Sequence, residues 1–131
     1  DAAGRRRLAD LGVADSKSFG SGAKAQDQRA RIAEVLKQEF PAKYPIRVRT
    51  RVLKGYHGLT KFNEEKQEFQ VIIGKDRFDI MIIHLIHEWS HSLSWDARFN
   101  TWENPNFHTE KWSDSMRIIY NYLWETHLKQ A

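Results

Sequence analysis

The sequence predicts an α+β domain, and three observations lead there. Residues 46–73 contain short stretches in which apolar and polar residues alternate, the period of a strand with one buried face. The segments on either side place apolar residues at helical spacing instead. The chain has 131 residues, enough for one core and too few for two comfortable ones. The expected order is a helix, a three-stranded antiparallel sheet, then two further helices.

Each element has its own local reason. Residues 1–24 read as a flexible basic arm: a short helix around Arg5–Leu11, then a connector with three Ser and two Gly between Ala14 and Lys24. The remainder, 25–131, is the domain. Asp27 to Phe40 is a helix with Ile32, Val35, Leu36 and Phe40 at helical spacing, closed by Pro41 and Pro45. In 46–52, Ile46, Val48, Thr50 and Val52 alternate with Arg47, Arg49 and Arg51, a strand with one buried face and three arginines on the other. Gly58–Phe62 and Gln67–Ile73 are two more strands, joined by the polar turn Asn63–Lys66. Asp76 offers an N-cap for a helix to about Trp95 that is apolar nearly all round and should be buried. A loop, Asp96–Glu103, leads to Asn104-Pro105, a cap and first-turn pair for a final helix ending near His127.

Composition excludes several classes. The chain has no cysteine, so disulfides, thiol nucleophiles and cysteine-based zinc sites are out, and any metal must be held by His, Asp or Glu. No apolar run approaches the roughly 20 residues of a membrane-spanning helix, which leads to the expectation of a cytoplasmic or nucleoid-associated protein without membrane contact. The net charge of +4 is unevenly spread. Residues 1–53 carry twelve Lys/Arg against six Asp/Glu, and residues 54–131 carry nine against eleven. A basic first half points to a polyanion as a candidate partner, or to nothing more than a solvated surface.

The chemistry lies in His87-Glu88-Trp89-Ser90-His91, an HExxH sequence inside the buried helix. Residues i and i+4 project from one helix face, so both imidazoles can bind one Zn²⁺ through neutral ring nitrogens. Glu88 stands beside them, placed to take a proton from a water on the metal. Two satisfied histidines and a buried carboxylate in a core helix are the bland alternative. It leaves an unpaired buried carboxylate at a cost of several kcal/mol.

A catalytic zinc site needs three protein ligands and an open position. Periodicity favours His108, which falls on one stripe with Trp112, Met116, Ile119 and Leu123. Glu110 is the alternative ligand; it shares a polar stripe with Asp114, Arg117 and Asn121, although Glu110-Lys-Trp-Ser-Asp114 is similar to the zinc-binding run of thermolysin-like enzymes. Glu103 and Asp96 are outsiders. His84, one turn before His87, lines the cleft or supports it from the core, and Tyr56 and His57, in a loop before the second strand, are candidates to face the active site. His127 suits a helix C-terminus. Arg47, Arg49 and Arg51, about 7 Å apart on one strand face, together with Arg5-Arg6-Arg7, are the candidate nucleic-acid contacts.

These residues also resemble a known family, the SprT-like zinc metallopeptidases, which include bacterial SprT and eukaryotic Spartan. The resemblance runs from His87-Glu-x-x-His91 into Leu93, Trp95 and Phe99, and resumes at His108-x-x-x-Trp112-x-x-x-Met116. Clear similarity covers about 30 residues and looser agreement extends over 27–125. It implies a minimal zincin-like domain, His108 as third zinc ligand, and protein substrates on or near DNA. Thr109 departs from the family's glycine, the stretch between His91 and His108 is a few residues longer, and no cysteine-rich zinc ribbon follows.

The expected function is therefore a zinc-dependent endopeptidase. Glu88 would deprotonate the zinc-activated water and then protonate the leaving amine. The substrate would lie extended along an edge of the small sheet. The alternative is a nucleic-acid-binding or regulatory zinc domain with little or no proteolytic activity; a zinc hydrolase acting on another amide is a third.

Overall fold

The structure is a computed structural model that describes residues 23–96 and 108–128. Its elements are α1 (Ala23–Glu39), β1 (Ile46–Arg51), β2 (Gly58–Asn63), β3 (Glu68–Gly74), α2 (Phe78–Leu93) and α3 (Glu110–Leu123); α3 runs into a single π-helical turn, Trp124–Leu128. The α+β class and the element order agree with the sequence reading. Of the basic arm, 1–24, residues up to 22, including Arg5–Arg7, lie outside the described residues, as do Phe99, Glu103 and Asn104-Pro105. Ala23 and Lys24, read as flexible connector, instead form the start of α1, which begins four residues before Asp27.

The sheet is mixed rather than antiparallel throughout. Its order is β1-β3-β2, with β1 parallel to β3 and β2 antiparallel to it. β3 takes the centre, paired with β1 at one edge and β2 at the other, and its inward-facing Phe69, Val71 and Ile73 are all buried. β1 carries an arginine at every second position, which suits an edge. Strands separated by a third lie roughly 10 Å apart. The connection 52–57 is long enough to cross that gap, and it turns at Gly55, whose φ of +84° is a left-handed value that favours glycine. Between β2 and β3 the expected polar turn forms, with Lys66 N donating to Asn63 Oδ1 at 2.9 Å.

The helices gather on the sheet face defined by Ile46, Thr60, Phe69, Val71 and Ile73, all buried. α2 lies across β2 and β3, α1 packs on α2 and β1, and α3 packs on α2. Trp89, fully buried, donates its indole N–H to the Phe40 carbonyl at 2.9 Å and so fixes the end of α1 against the middle of α2. Burying α2 also buries its serines. Ser90, Ser92 and Ser94 each donate to a carbonyl three or four residues earlier, at 2.6–2.8 Å, which leaves none of these three hydroxyls unpaired.

Two details of α2 differ from the sequence reading. The N-cap position is Arg77, one residue later than expected, and Asp76 Oδ1 accepts from Arg77 N instead of capping the helix. Burial is also incomplete, since Ile83 on the outer face is 57% exposed. The third helix begins later than expected, at Glu110. Thr109 is its N-cap, with Oγ1 accepting from Trp112 N at 3.1 Å. No helix among the described residues is long and apolar enough to cross a membrane.

Candidate metal centre

His87 and His91 sit on one face of α2, one turn apart, as the i, i+4 spacing requires. His108 arrives from outside a helix. It immediately precedes the Thr109 cap, so the cap sets the angle at which the chain enters α3 and brings the imidazole over α2. His87 Nε2 lies 3.2 Å from His91 Nε2 and 3.2 Å from His108 Nε2. The three ligand atoms lie within 4.8 Å of one another.

The separations fit a metal. A tetrahedral ion with Zn–N bonds of about 2.0–2.1 Å sets neighbouring nitrogens about 3.3 Å apart. A neutral imidazole Nε2 offers one lone pair, or one proton, on that atom, so His87 cannot satisfy both neighbours well by hydrogen bonding alone. One cation satisfies all three.

Electrostatics prepare the same state. Burial, with His108 and His84 nearby, lowers the pKa of His87 from 6.5 to about 4. Burial, with His87 and His108 nearby, lowers that of His91 to about 3. Both are therefore neutral at pH 7, the form that ligates a metal. His91 is completely buried, and its Nδ1 has no hydrogen-bond partner among the described residues.

Glu88 is buried beside this cluster, with Oε2 3.8 Å from His87 Nε2. Thr60, also fully buried, places its hydroxyl 2.7 Å from Glu88 Oε1 and 2.8 Å from the Glu88 main-chain oxygen. Burial pushes the Glu88 pKa up from 4.5 to about 7, against the opposing effect of the Thr60 hydrogen bond. A carboxyl that titrates near neutrality can both take and return a proton there.

Trp112 walls the cluster on the α3 side. Its ring stacks on His108 at 4.2 Å between centroids and lies 5.4 Å from His91 and 4.9 Å from His87. Opposite α2, the β1–β2 connection brings His57 onto His84, with the rings parallel to within 2° at 4.7 Å. The stacked pair lines a cavity of about 460 Å³ with Tyr56, Leu53, Lys75 and Asp76.

The structure therefore brings together His87, Glu88, His91 and His108. Glu110 is in the first turn of α3, exposed and outside the histidine cluster, and Asp114 is exposed and faces Arg117 at 3.8 Å. His127 lies in the π-helical turn, away from the cluster, with its ring 6.1 Å from Tyr122. Arg47, Arg49 and Arg51 share the exposed face of β1, and Arg47 stands 3.8 Å from Glu68. Sequence reasoning misses Thr60 and Gly58. A threonine at a buried strand position is the available signal for the first. A glycine opening a strand beside the HExxH helix is the signal for the second.

No protein-family model, curated protein or solved structure matches the chain.

Proposed function

We propose that this protein is a zinc-dependent endopeptidase of the SprT-like type. The observation that carries the reading is the convergence of three imidazole Nε2 atoms with a buried carboxylate oxygen beside them. His87, His91 and His108 would hold the ion. Zinc bound there would supply Lewis acidity toward water and toward a scissile carbonyl. Glu88 Oε2 accepts the proton of the attacking water and delivers it to the leaving amine.

The position of β2 supports an extended polypeptide as substrate. β2 is an edge strand of the sheet, paired on its β3 side, and it carries Gly58 and Thr60 against Glu88. A peptide adding to its other edge, which pairs with no strand among the described residues, by main-chain hydrogen bonds would pass the metal centre. This mode selects weakly for sequence, so unfolded casein is a suitable test substrate. The zinc-loaded chain should cleave it, and Glu88→Gln should lower kcat about 10²- to 10⁴-fold with zinc retained. Equal cleavage by the Gln variant rejects the reading.

The second reading, a nucleic-acid-binding zinc domain with little proteolysis, is favoured by the strand face of β1. Arg47, Arg49 and Arg51 are all exposed there, and Arg49 and Arg51 have no ion-pair partner among the described residues. Salt-sensitive DNA binding without cleavage of casein would select it. DNA binding together with cleavage would instead fit a protease that acts on DNA-associated proteins.

A further inference from the structure

We propose that Thr60 and Gly58, two residues apart on β2, are positioning residues for Glu88: Thr60 holds Oε1, and Gly58 leaves the space occupied by Cγ and Oε2, so that Oε2 is the oxygen presented to the His87 imidazole. The role given to Oε2 rests on the peptidase reading; the placement of the carboxylate does not.

The two residues act on the same side chain in different ways. Thr60 faces α2 in register with Val71, and its hydroxyl lies within hydrogen-bond distance of two acceptors of one residue, Glu88 Oε1 at 2.7 Å and Glu88 O at 2.8 Å. A hydroxyl has one proton to donate. The main-chain oxygen lies inside α2, where the helix supplies its own donor, whereas Oε1 is a carboxylate oxygen and the stronger acceptor. The proton is therefore directed to Oε1. That bond is indifferent to whether Oε2 carries a proton, because Oε1 remains an acceptor in both forms.

Gly58 constrains the opposite oxygen by what it lacks. A Cβ there would lie 2.9 Å from Glu88 Cγ, 3.0 Å from Glu88 Oε2 and 3.2 Å from the main-chain oxygen of Ile72. The Ile72 oxygen belongs to the central strand and cannot yield, so the carboxyl would be the group to move. Gly58 is not in a left-handed conformation, and the close approach of Glu88 is the reason a side chain does not fit. The hydrogen bond fixes one oxygen, and the missing methyl leaves room for the other. A general base displaced by about 1 Å loses on the order of 10²-fold in rate, so both constraints matter to the chemistry.

The test compares zinc-loaded wild type, Thr60→Ser, Thr60→Val and Gly58→Ala. Three quantities are read from each: bound zinc per chain, the orientation of the Glu88 carboxylate in a crystal structure, and kcat and KM on unfolded casein. All four should bind one zinc. In Thr60→Val and Gly58→Ala the carboxylate should turn away from the histidines, and kcat should fall about 10- to 100-fold with KM within a factor of two. Thr60→Ser, which keeps the hydroxyl, should restore kcat to within about threefold of wild type. A carboxylate that keeps its place in Thr60→Val and Gly58→Ala overturns the proposal whatever the rates, and so does a serine variant no better than the valine. Should Thr60→Val fail to fold, Gly58→Ala decides. A zinc-loaded wild type that cleaves nothing defeats the peptidase reading, and the crystal structures then decide the positioning claim separately.

Discussion

The indole Nε1 of Trp112 donates a hydrogen bond to the main-chain oxygen of His87 at 3.1 Å. The same ring stacks on His108, so one side chain from α3 joins the HExxH helix to the third histidine. That arrangement predicts a graded response to substitution. Trp112→Phe keeps a ring over His108 but removes the N–H, and should cost about 1 kcal/mol of stability with zinc still bound. Trp112→Ala removes the wall as well. It should cost about 3–5 kcal/mol and weaken zinc binding about 10- to 100-fold. Denaturant titrations and competition with a chromogenic chelator would measure both. Equal zinc affinity in the alanine variant would show that Trp112 does not hold the third ligand in place.

Glu88 makes the metal-free protein sensitive to pH. Its pKa is raised in the fold, from 4.5 to about 7, so between those values the folded chain holds more protons than the unfolded one. Its contribution to stability is present below pH 4.5 and is lost as the pH rises through 7. Metal-free Glu88→Gln should therefore be more stable than metal-free wild type at pH 8, by about 1–3 kcal/mol, with little difference at about pH 4.5. His87 and His91 have the opposite sign. Their lowered values mean that the unfolded chain binds more protons below 6.5, so both forms lose stability as the pH falls toward 4 and 3. Urea unfolding at the two pH values, with chelator present, checks the difference between the variants. A constant offset would contradict it.

Much of this arrangement is legible in the residues. Alternation exposes β1, and the i, i+4 histidines announce a shared face on α2. Strand order is harder to read, because β1 and β2 are adjacent in the sequence yet separated in space by β3. No local pattern marks β3 as the central strand, because long-range pairing is settled by the whole packed layer. The start of α3 departs from expectation for a local reason. Asn104-Pro105 is a better cap pair by propensity than Thr109, yet Thr109 is the residue whose hydroxyl meets Trp112 N. Periodicity assigns His108 to the apolar stripe of a helix; it lies just before one, and its ring stacks on Trp112 of that stripe. Thr60 and Gly58 carry only a generic signal in the sequence, a threonine at a buried strand position and a glycine opening a strand, because their roles depend on where β2 lies against Glu88.

Metal binding should stabilise the folded chain, since the three imidazoles converge only in the fold. At a free zinc concentration about 100 times Kd the gain is about 2.7 kcal/mol, or roughly 10 °C in Tm. A chelator should reverse it. The gain should shrink as the pH falls below about 6, where protons compete for the imidazoles. Scanning calorimetry across zinc concentration and pH measures this directly, and a Tm indifferent to zinc would argue against a site formed by the fold.

The exposed arginines of β1 predict a salt-dependent contact with DNA. If all three meet phosphates, replacing Arg47, Arg49 and Arg51 with alanine should lower the slope of log K against log salt by up to about 2.7, at about 0.9 per contact. Fluorescence anisotropy with labelled duplex at several salt concentrations gives the slope. An unchanged slope would return the arginines to the role of a charged edge that discourages strand pairing.

The most direct test of the metal centre is zinc content by elemental analysis of wild type, His108→Ala and Glu110→Ala, purified side by side. His108 contributes the third converging nitrogen, and Glu110 is exposed outside the cluster. The account predicts one zinc per chain in wild type and in Glu110→Ala, and loss of zinc in His108→Ala. Zinc lost with Glu110→Ala and kept with His108→Ala, or no zinc in any of the three after it is added back, would contradict it.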